Sequence, residues 1–166
     1  VRAIRQDPAA RVLLTTFSEP LAGALRAKLD ILAGPDPAIV PKITVLSFQG
    51  LAAELFELAF GRKLRVVTAD QVDVALATAA TSQGLKGFSQ RFLTAEWANV
   101  IDAWRVTGAD VYAQVPRLGR KNRLGAKQRQ ALWPVFEMAG SQLRAKGGLT
   151  WAGAFHALAD HYAERI

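Results

Sequence analysis

The chain has 166 residues, of which 51% are hydrophobic, so it can bury a core and is not a largely disordered protein. It contains no cysteine, which excludes disulfides and thiolate metal sites and favours a cytoplasmic location. The formal net charge of +7 is compatible with a polyanionic partner. No apolar run reaches the length that crosses a membrane, so we expect no membrane partner.

The stretch from Arg11 to Leu32 predicts a short strand followed by a helix. Val12–Thr16 is a short apolar and β-branched run that is typical of a strand. Ser18 can cap a helix, and the leucines after it recur at helical spacing. Phe17 thus falls at a strand end beside a helix N-terminus, where α/β proteins bind ligands and where phosphate is favoured. The local pattern alone nevertheless favours a simple strand–helix corner in which Phe17 belongs to the core.

The next segment repeats this layout. Ile43–Leu46 is a second short strand candidate, Ser47 can cap the helix that follows, and Gly61 can end it. Two such units joined by a helix predict adjacent parallel strands with a right-handed crossover. Two strands are too few for an independent sheet, so we expect residues 1–62 to be part of a larger unit.

The remaining residues, 63–166, predict a helical region. Leu64–Val67 is either a weak third strand or an extended lead-in, and Thr68 with Gln71 forms a capping-box sequence at the start of a helix. A further helix is expected to begin near Thr94. Its buried stripe would consist of Trp97, Val100, Ile101 and Trp104.

Three more helices are expected before the end of the chain. A short one covers residues 107–114, and a long one follows the basic loop, with Pro134 expected to kink it or to limit its first half. Thr150 can cap the last helix. The fold class predicted from these elements is mainly α with two or three short parallel β-strands.

The sequence lacks the usual catalytic patterns. There is no phosphate-binding GxxxxGKS/T motif and no pair of acidic residues at a strand end. His156 and His161 lie five residues apart on one predicted helix and therefore diverge, which makes them a poor metal pair. No Ser–His–acid arrangement is recognisable. We therefore predict no catalytic residue in this chain.

Basic residues are concentrated between Asp110 and Glu137, where the chain has no acidic residue. A solvated loop and helix face would explain this pattern, and so would a contact with nucleic acid phosphates. The residues of this cluster are Arg117, Arg120, Lys121, Arg123, Lys127 and Arg129.

Three stretches together resemble the UvrD/Rep-type superfamily 1 DNA helicases. TTFSEPLAGALRAKL (15–29) is similar to the family's DNA-contacting strand–helix motif, T-F-S/T/N-x-x-L-A-x-x-L/M-R. SFQGLAAEL (47–55) resembles the next motif, T-F-H-S-L-A-x-x-L. AKGGLTWAGAFHALA (145–159) is similar to the segment G-L-V/I-D-F/W-x-x-L/M, which precedes the family's magnesium-binding acidic motif. The basic loop also resembles the GR-x-x-RL-x-x-x-QR pattern of a helical insertion.

The resemblance implies a chain that begins just after the ATP-binding lysine motif and stops just before the acidic ATPase motif. Residues 1–62 would then be strand–helix units of a partial RecA-like α/β domain, and residues 63–166 its helical insertion subdomain. ATP and magnesium are implied for the parent helicase, which would be an ATP hydrolase. No cofactor is implied for this fragment, and we expect it to hydrolyse no ATP.

The resemblance also implies DNA-binding residues in the first motif. Phe17 matches the aromatic residue that meets a base of the single strand, and Thr16 and Ser18 match the polar residues around it. Such a stacking contact is tolerant of base sequence.

The second motif supplies three further candidates, Ser47, Phe48 and Gln49, which match the family's Thr-Phe-His. The polar groups of that motif face the phosphates of the strand. Gln49 replaces the usual His and can still donate a hydrogen bond, although it cannot carry the imidazole charge. Gly50 replaces the following Ser, and Thr150 replaces the Asp of the late segment. From the basic cluster, the candidate DNA contacts are Arg120, Lys121, Arg123 and Lys127.

Three functional interpretations are open from the sequence. The first is a non-catalytic fragment of an ATP-dependent DNA helicase that contributes part of the track for single-stranded or partly duplex DNA. The second is a stand-alone helical DNA-binding or regulatory module, in which the basic loop precedes a recognition helix and Phe17 plays no part. The third is a structural interaction domain that self-associates through the unpaired edges of its sheet.

Overall fold

The computed structural model describes residues 2–7, 9–34, 39–116 and 124–165, without the side chain of Arg5. The chain divides into two compact units, Val1–Lys63 and Leu64–Ile166. The elements of the first unit are α1 (Arg2–Gln6), β1 (Val12–Thr16), α2 (Glu19–Ala33), β2 (Ile43–Ser47) and α3 (Phe48–Phe60). Those of the second unit are α4 (Ala69–Ser82), α5 (Gln90–Glu96), α6 (Ala109–Gln114), α7 (Ala126–Ala145) and α8 (Trp151–Ala163).

The predicted fold class, mainly α with a few short parallel strands, is confirmed. β1 and β2 lie side by side and run parallel, in register from Val12 opposite Ile43 to Thr16 opposite Ser47. Two strands form the sheet in the described part of the chain. None of the helices described is long and apolar enough to span a bilayer. The RecA-like identity of the first unit and the insertion identity of the second stay predictions.

The first unit buries only a few of its large side chains. Phe56 of α3 and Val45 of β2 are almost completely buried. The leucine stripe of α2, by contrast, is open to solvent at both ends, with Leu21 49% and Leu32 79% exposed. The first unit therefore covers α2 incompletely with its own described residues.

The second unit has a continuous helical core. The inward faces of α4 and α7 provide its centre, since Leu76, Leu132 and Val135 have no accessible surface. The other members come from α5, from the segments that follow it and from α6. The buried residues of this core are Val72, Ala75, Leu76, Ala79, Leu93, Trp97, Val100, Ile101, Val106, Tyr112, Val115, Leu132, Val135, Phe136, Ala139 and Leu143.

The helix expected to begin near Thr94 begins earlier. Ser89 caps α5, because its hydroxyl accepts a hydrogen bond from the N–H of Phe92 at 3.2 Å. Thr94 lies inside the helix and donates its hydroxyl to the carboxylate of Asp73 on α4. The prediction of a start at Thr94 is therefore wrong, and Thr94 instead links two helices.

A π-helical segment, Trp97–Asp102, continues α5 and changes the predicted buried stripe. Trp97, Val100 and Ile101 are buried as expected, but Trp104 is 64% exposed. The prediction for Trp104 assumed a regular α-helix throughout. A π turn closes over five residues rather than four, so the side chains beyond it are rotated relative to those before it.

The backbone of the second unit answers two further questions, whether Leu64–Val67 is a strand and whether Pro134 interrupts its helix. Leu64–Val67 forms a single parallel bridge between Val66 and Leu149, so it is an extended lead-in rather than a strand. Pro134 lies inside α7, which runs without interruption from Ala126 to Ala145. Pro134 therefore does not limit the helix.

Candidate nucleic-acid interface

The carboxyl ends of β1 and β2 bring the two DNA-contact motifs together. Thr16 lies opposite Ser47 in the parallel register, so the residues that follow them, Phe17 and Phe48, are neighbours. Their rings meet edge to face with centroids 5.1 Å apart, which is a favoured geometry for an aromatic pair. The two motifs, distant in sequence, thus form one local surface.

The aromatic pair is accessible from solvent. Phe17 is 88% exposed and Phe48 is 38% exposed. The interpretation of Phe17 as a core residue, which its local pattern favours, is therefore wrong. An exposed phenylalanine held against a second ring has one face free to contact a ligand.

Two serines start the helices that flank this pair. The hydroxyl of Ser18 accepts a hydrogen bond from the N–H of Leu21 at 3.4 Å, and that of Ser47 accepts one from Gly50 at 3.0 Å. Both serines are N-caps, as the sequence predicts. They orient α2 and α3 so that both helices begin beside the phenylalanines.

Glu19 lies between the two motifs and is held there by Arg26. Its carboxylate accepts a hydrogen bond from Arg26 at 2.5 Å. This bond and a second one from Ser47 hold the pKa of Glu19 below its ordinary value. Arg26 also donates from Nε to the main-chain carbonyl of Val45 at 3.0 Å, which ties α2 to β2. The guanidinium therefore fixes the corner and balances the nearest negative charge.

Gly50, one of the departures from the family pattern, lies close to the cap of α3. A Cβ atom at this position would be 3.2 Å from the Oγ atom of Ser47 and 3.7 Å from the Oε2 atom of Glu19. A side chain here would crowd the polar contacts of Ser47. The glycine thus matches the tight arrangement of this corner.

The polar candidate residues divide into buried and exposed groups. Thr16 and Ser47 are only 6% and 3% exposed, so they lie beneath the surface of the corner. Ser18 and Gln49 are exposed beside the phenylalanines. Of the candidate residues, solvent therefore reaches Phe17, Ser18, Phe48 and Gln49, and it also reaches Glu19 beside them.

The basic candidates belong to the second unit. Arg120, Lys121 and Arg123 lie outside the described residues. Lys127 is exposed in the first turn of α7 and shares a shallow depression with Lys86, which sequence reasoning did not single out. Lys86 stands between Gly84 and Gly87, and its neighbours in the sequence do not indicate that it lies near Lys127.

Arg129, another member of the basic cluster, has a structural role. It donates to the carbonyl oxygens of Tyr112, Ala113 and Val115 at 2.8, 2.6 and 3.3 Å. These carbonyls belong to the C-terminal end of α6, where an α-helix leaves acceptors without partners. Arg129 thus caps the end of α6, and the hydrogen bonds that it donates there reduce its capacity to bind a phosphate.

The described residues contain no group of three or more His, Asp or Glu side chains that could hold a metal ion. The sequence has no phosphate-binding loop motif. Comparison of the chain with protein-family models, with curated proteins and with solved structures gave no match.

Proposed function

We propose that this chain is a non-catalytic part of an ATP-dependent DNA helicase of the UvrD/Rep type and supplies part of its single-stranded DNA track. The observation that carries the proposal is the position of Phe17, which is 88% exposed at the carboxyl end of a parallel strand. The resemblance of its motif to the family supplies the DNA partner. ATP and magnesium would be bound elsewhere in the parent protein, and a cytoplasmic location belongs to the same proposal.

The aromatic pair suits a base rather than a phosphate. Phe17 offers a flat apolar face, and Phe48 supports it from the side at 5.1 Å between centroids. Stacking of a base on such a ring contributes about 1–3 kcal/mol and does not depend strongly on base identity. The corner would therefore bind single strands without reading their sequence.

The polar surroundings suit the sugar–phosphate backbone. Ser18 and Gln49 are exposed donors next to the rings, and both neighbouring helices begin there, with N-termini that favour negative charge. Glu19 would oppose a phosphate, but its pairing with Arg26 reduces that repulsion. Hydrogen bonds to the backbone position a strand and carry no sequence information.

Binding of a fluorescent oligothymidylate, followed by anisotropy at low salt, tests the proposal. Phe17→Ala removes the exposed ring and should weaken binding by roughly 5- to 150-fold, because one stacking contact is lost. Ile31→Ala is the matched control, since Ile31 is 81% exposed at the far end of α2. Equal affinities for the Phe17→Ala variant and the wild type would remove the DNA contact from this corner.

The basic residues distinguish this proposal from a helical DNA-binding module. Glutamate at Lys86 and Lys127, or at Arg120, Lys121 and Arg123, should lower the salt dependence of binding if those residues contact phosphates. Loss of binding in these variants, with full binding and a preferred DNA sequence in Phe17→Ala, would favour the module. A requirement for Phe17 without sequence preference supports the helicase track.

A further inference from the structure

The candidate DNA contacts at the carboxyl ends of β1 and β2 carry no charge. The affinity of a protein for a nucleic acid strand depends strongly on cations that neutralise phosphates of the strand. A strand bound at this corner therefore needs a cation from a neighbouring element. The uncharged candidates are Thr16, Phe17, Ser18, Ser47, Phe48 and Gln49.

Arg26 of α2 is anchored to the segments of both DNA-contact motifs. Its Nε atom donates to the main-chain carbonyl of Val45 in β2 at 3.0 Å. One of its Nη atoms donates to the carboxylate of Glu19 at 2.5 Å. Val45 lies three residues before Phe48, and Glu19 lies two residues after Phe17. The guanidinium is therefore held at the same corner as the two rings.

The guanidinium of Arg26 retains capacity for a ligand. A guanidinium has five N–H donors, and the contacts with Val45 and Glu19 use two of them. The side chain of Arg26 is 46% exposed, so an anion in solution can reach it. The planar arrangement of guanidinium donors matches the oxygens of a phosphate. Arg26 can therefore bind a phosphate without losing its bond to Val45.

Glu19 competes with a phosphate for this guanidinium. Its carboxylate accepts hydrogen bonds from Arg26 and Ser47, which hold the pKa of Glu19 below its ordinary value, so the group is charged at neutral pH. The side chain of Glu19 is 61% exposed. An exposed ion pair contributes little to stability. A phosphate can therefore replace the carboxylate at small cost.

We propose that Arg26 is a phosphate contact of the bound strand and that Glu19 occupies it in the unbound protein. A phosphodiester group of single-stranded DNA replaces the Glu19 carboxylate at the exposed side of the guanidinium, while the Nε bond to Val45 stays in place. This inference rests on the DNA contact proposed for Phe17, and it adds the cation that neutralises the strand there.

Arg26→Gln removes the charge and retains N–H donors. The affinity for a fluorescent oligothymidylate should fall about three- to tenfold at low salt, because one charge-assisted contact is lost. The slope of log affinity against log salt concentration should decrease in magnitude by about 0.7, the value for one phosphate of a single strand. An unchanged slope would contradict the proposal.

Lys28→Gln is the matched control for Arg26→Gln. Lys28 is an exposed cation of α2. It follows Arg26 by two residues, which places it on a different side of the helix. The affinity and the salt dependence of this variant should equal those of the wild type. A loss in Lys28→Gln as large as that in Arg26→Gln would show that only the net charge of α2 matters, and it would overturn the specific contact.

Glu19→Gln tests the exchange of partners. The amide still accepts a hydrogen bond from Arg26 but carries no charge, so oligothymidylate should bind about two- to fivefold more tightly. In an Arg26→Gln background the same change should have no effect, because no guanidinium is left to be released. An equal gain in both backgrounds would show that Glu19 only repels the strand. Glu57→Gln, at an exposed position of α3, should bind like the wild type.

The wild-type chain offers a measurement that does not depend on the folding of a variant. Oligothymidylate should shift the NMR signal of the Arg26 Nε–H in a saturable manner, because the guanidinium changes partner. Strand binding without this shift would overturn the proposal. Inorganic phosphate at the same phosphate concentration should leave the signal unchanged. An equal shift with inorganic phosphate would assign the contact to free phosphate instead of a strand.

Phe17→Ala separates this inference from the proposed function. Weakened binding in Phe17→Ala, with wild-type affinity and salt dependence in Arg26→Gln, would keep the DNA contact at the corner and remove Arg26 from it. Wild-type binding in both variants would remove DNA from the corner altogether. Weakened binding in both variants, with a smaller salt slope only in Arg26→Gln, is the result expected if Phe17 binds a base and Arg26 a phosphate.

Discussion

The two units of this chain differ in how completely they bury their apolar side chains. In the unit Leu64–Ile166, the helices α4 to α7 and the segments between α5 and α6 close around one core. In the shorter unit Val1–Lys63, two strands and their helices leave large apolar side chains open to water. Among the described residues, nine of the thirteen exposed large apolar side chains belong to the shorter unit: Leu13, Leu14, Phe17, Leu21, Ile31, Leu32, Phe48, Leu58 and Phe60.

The difference follows from the kinds of element involved. Antiparallel helices bury a stripe each when they pack against one another. Parallel strands need cover on both faces and pairing at both edges, and a sheet of two strands has no central strand. The shorter unit is therefore expected to depend on contacts with further polypeptide, whereas the longer unit should be stable through its own core.

The largest expected effect is on the core of the longer unit. Phe136 is 1% exposed and contacts the rings of Trp97 and Tyr112. Phe136→Ala should lower the free energy of unfolding by about 3–5 kcal/mol, because it removes apolar contacts and leaves a cavity. Urea unfolding followed by tryptophan fluorescence measures this, since all four tryptophans lie after residue 64.

Val74→Ala in α4 is the control for that measurement. Val74 is 64% exposed, so its truncation should change the free energy of unfolding by less than about 0.5 kcal/mol. Similar losses in the two variants would show that the core of the longer unit is not closed as described.

An intermediate effect is expected on self-association through the shorter unit. Leu13 and Leu14 point to opposite faces of β1, and both are exposed. We expect sedimentation to show association that increases with protein concentration. Leu13→Lys with Leu14→Lys should weaken it about tenfold or more, because apolar area is lost and charge is placed at a sheet edge.

Val74→Lys in the longer unit should leave that association unchanged, since it adds the same charge to an exposed helix face. A chain that stays monomeric at every accessible concentration would contradict the expectation that the exposed apolar surface of the shorter unit mediates self-association.

The smallest expected effect concerns the acid–base behaviour of the longer unit. Burial raises the pKa of Asp102 above its ordinary 3.8, so the folded state holds this proton more tightly than the unfolded state. The contribution of Asp102 to stability is therefore greatest below pH 3.8 and declines as the pH rises through the raised pKa.

Asp102→Asn keeps an acceptor for Thr150 and removes the titration. Relative to the wild type, this variant should gain stability as the pH rises from 3 to 7, by less than about 1 kcal/mol, because water screens a half-buried charge. Urea midpoints across this pH range measure the difference.

The sequence predicts the features that depend on neighbouring residues. The helix starts at Ser18, Ser47, Thr68 and Thr150 follow from short capping patterns, and each is present. The parallel strands follow from a repeated apolar pattern. For the candidate site, the adjacency of Phe17 and Phe48 follows from that parallel arrangement, although no local signal shows that Phe17 is exposed.

Features that depend on tertiary contacts are the ones that sequence reasoning misses. The π turn rotates Trp104 out of the core, and nothing in the spacing of its apolar residues signals this. Arg26 looks like an ordinary surface residue of α2 until its bond to Val45 is seen. From the sequence, Arg129 looks like a residue that contacts phosphate. Only its hydrogen bonds to three carbonyl oxygens identify it as a cap for the C-terminal end of α6.

The cap formed by Arg129 has a practical consequence for the loop that precedes α7. It anchors the end of α6 to α7 through three hydrogen bonds, and its guanidinium lies 5.9 Å from the centre of the Tyr112 ring. The chain on either side of residues 117–123 is thus held independently of the loop sequence. Charge reversals in that loop can therefore be introduced as probes of ligand binding without loosening the helical core.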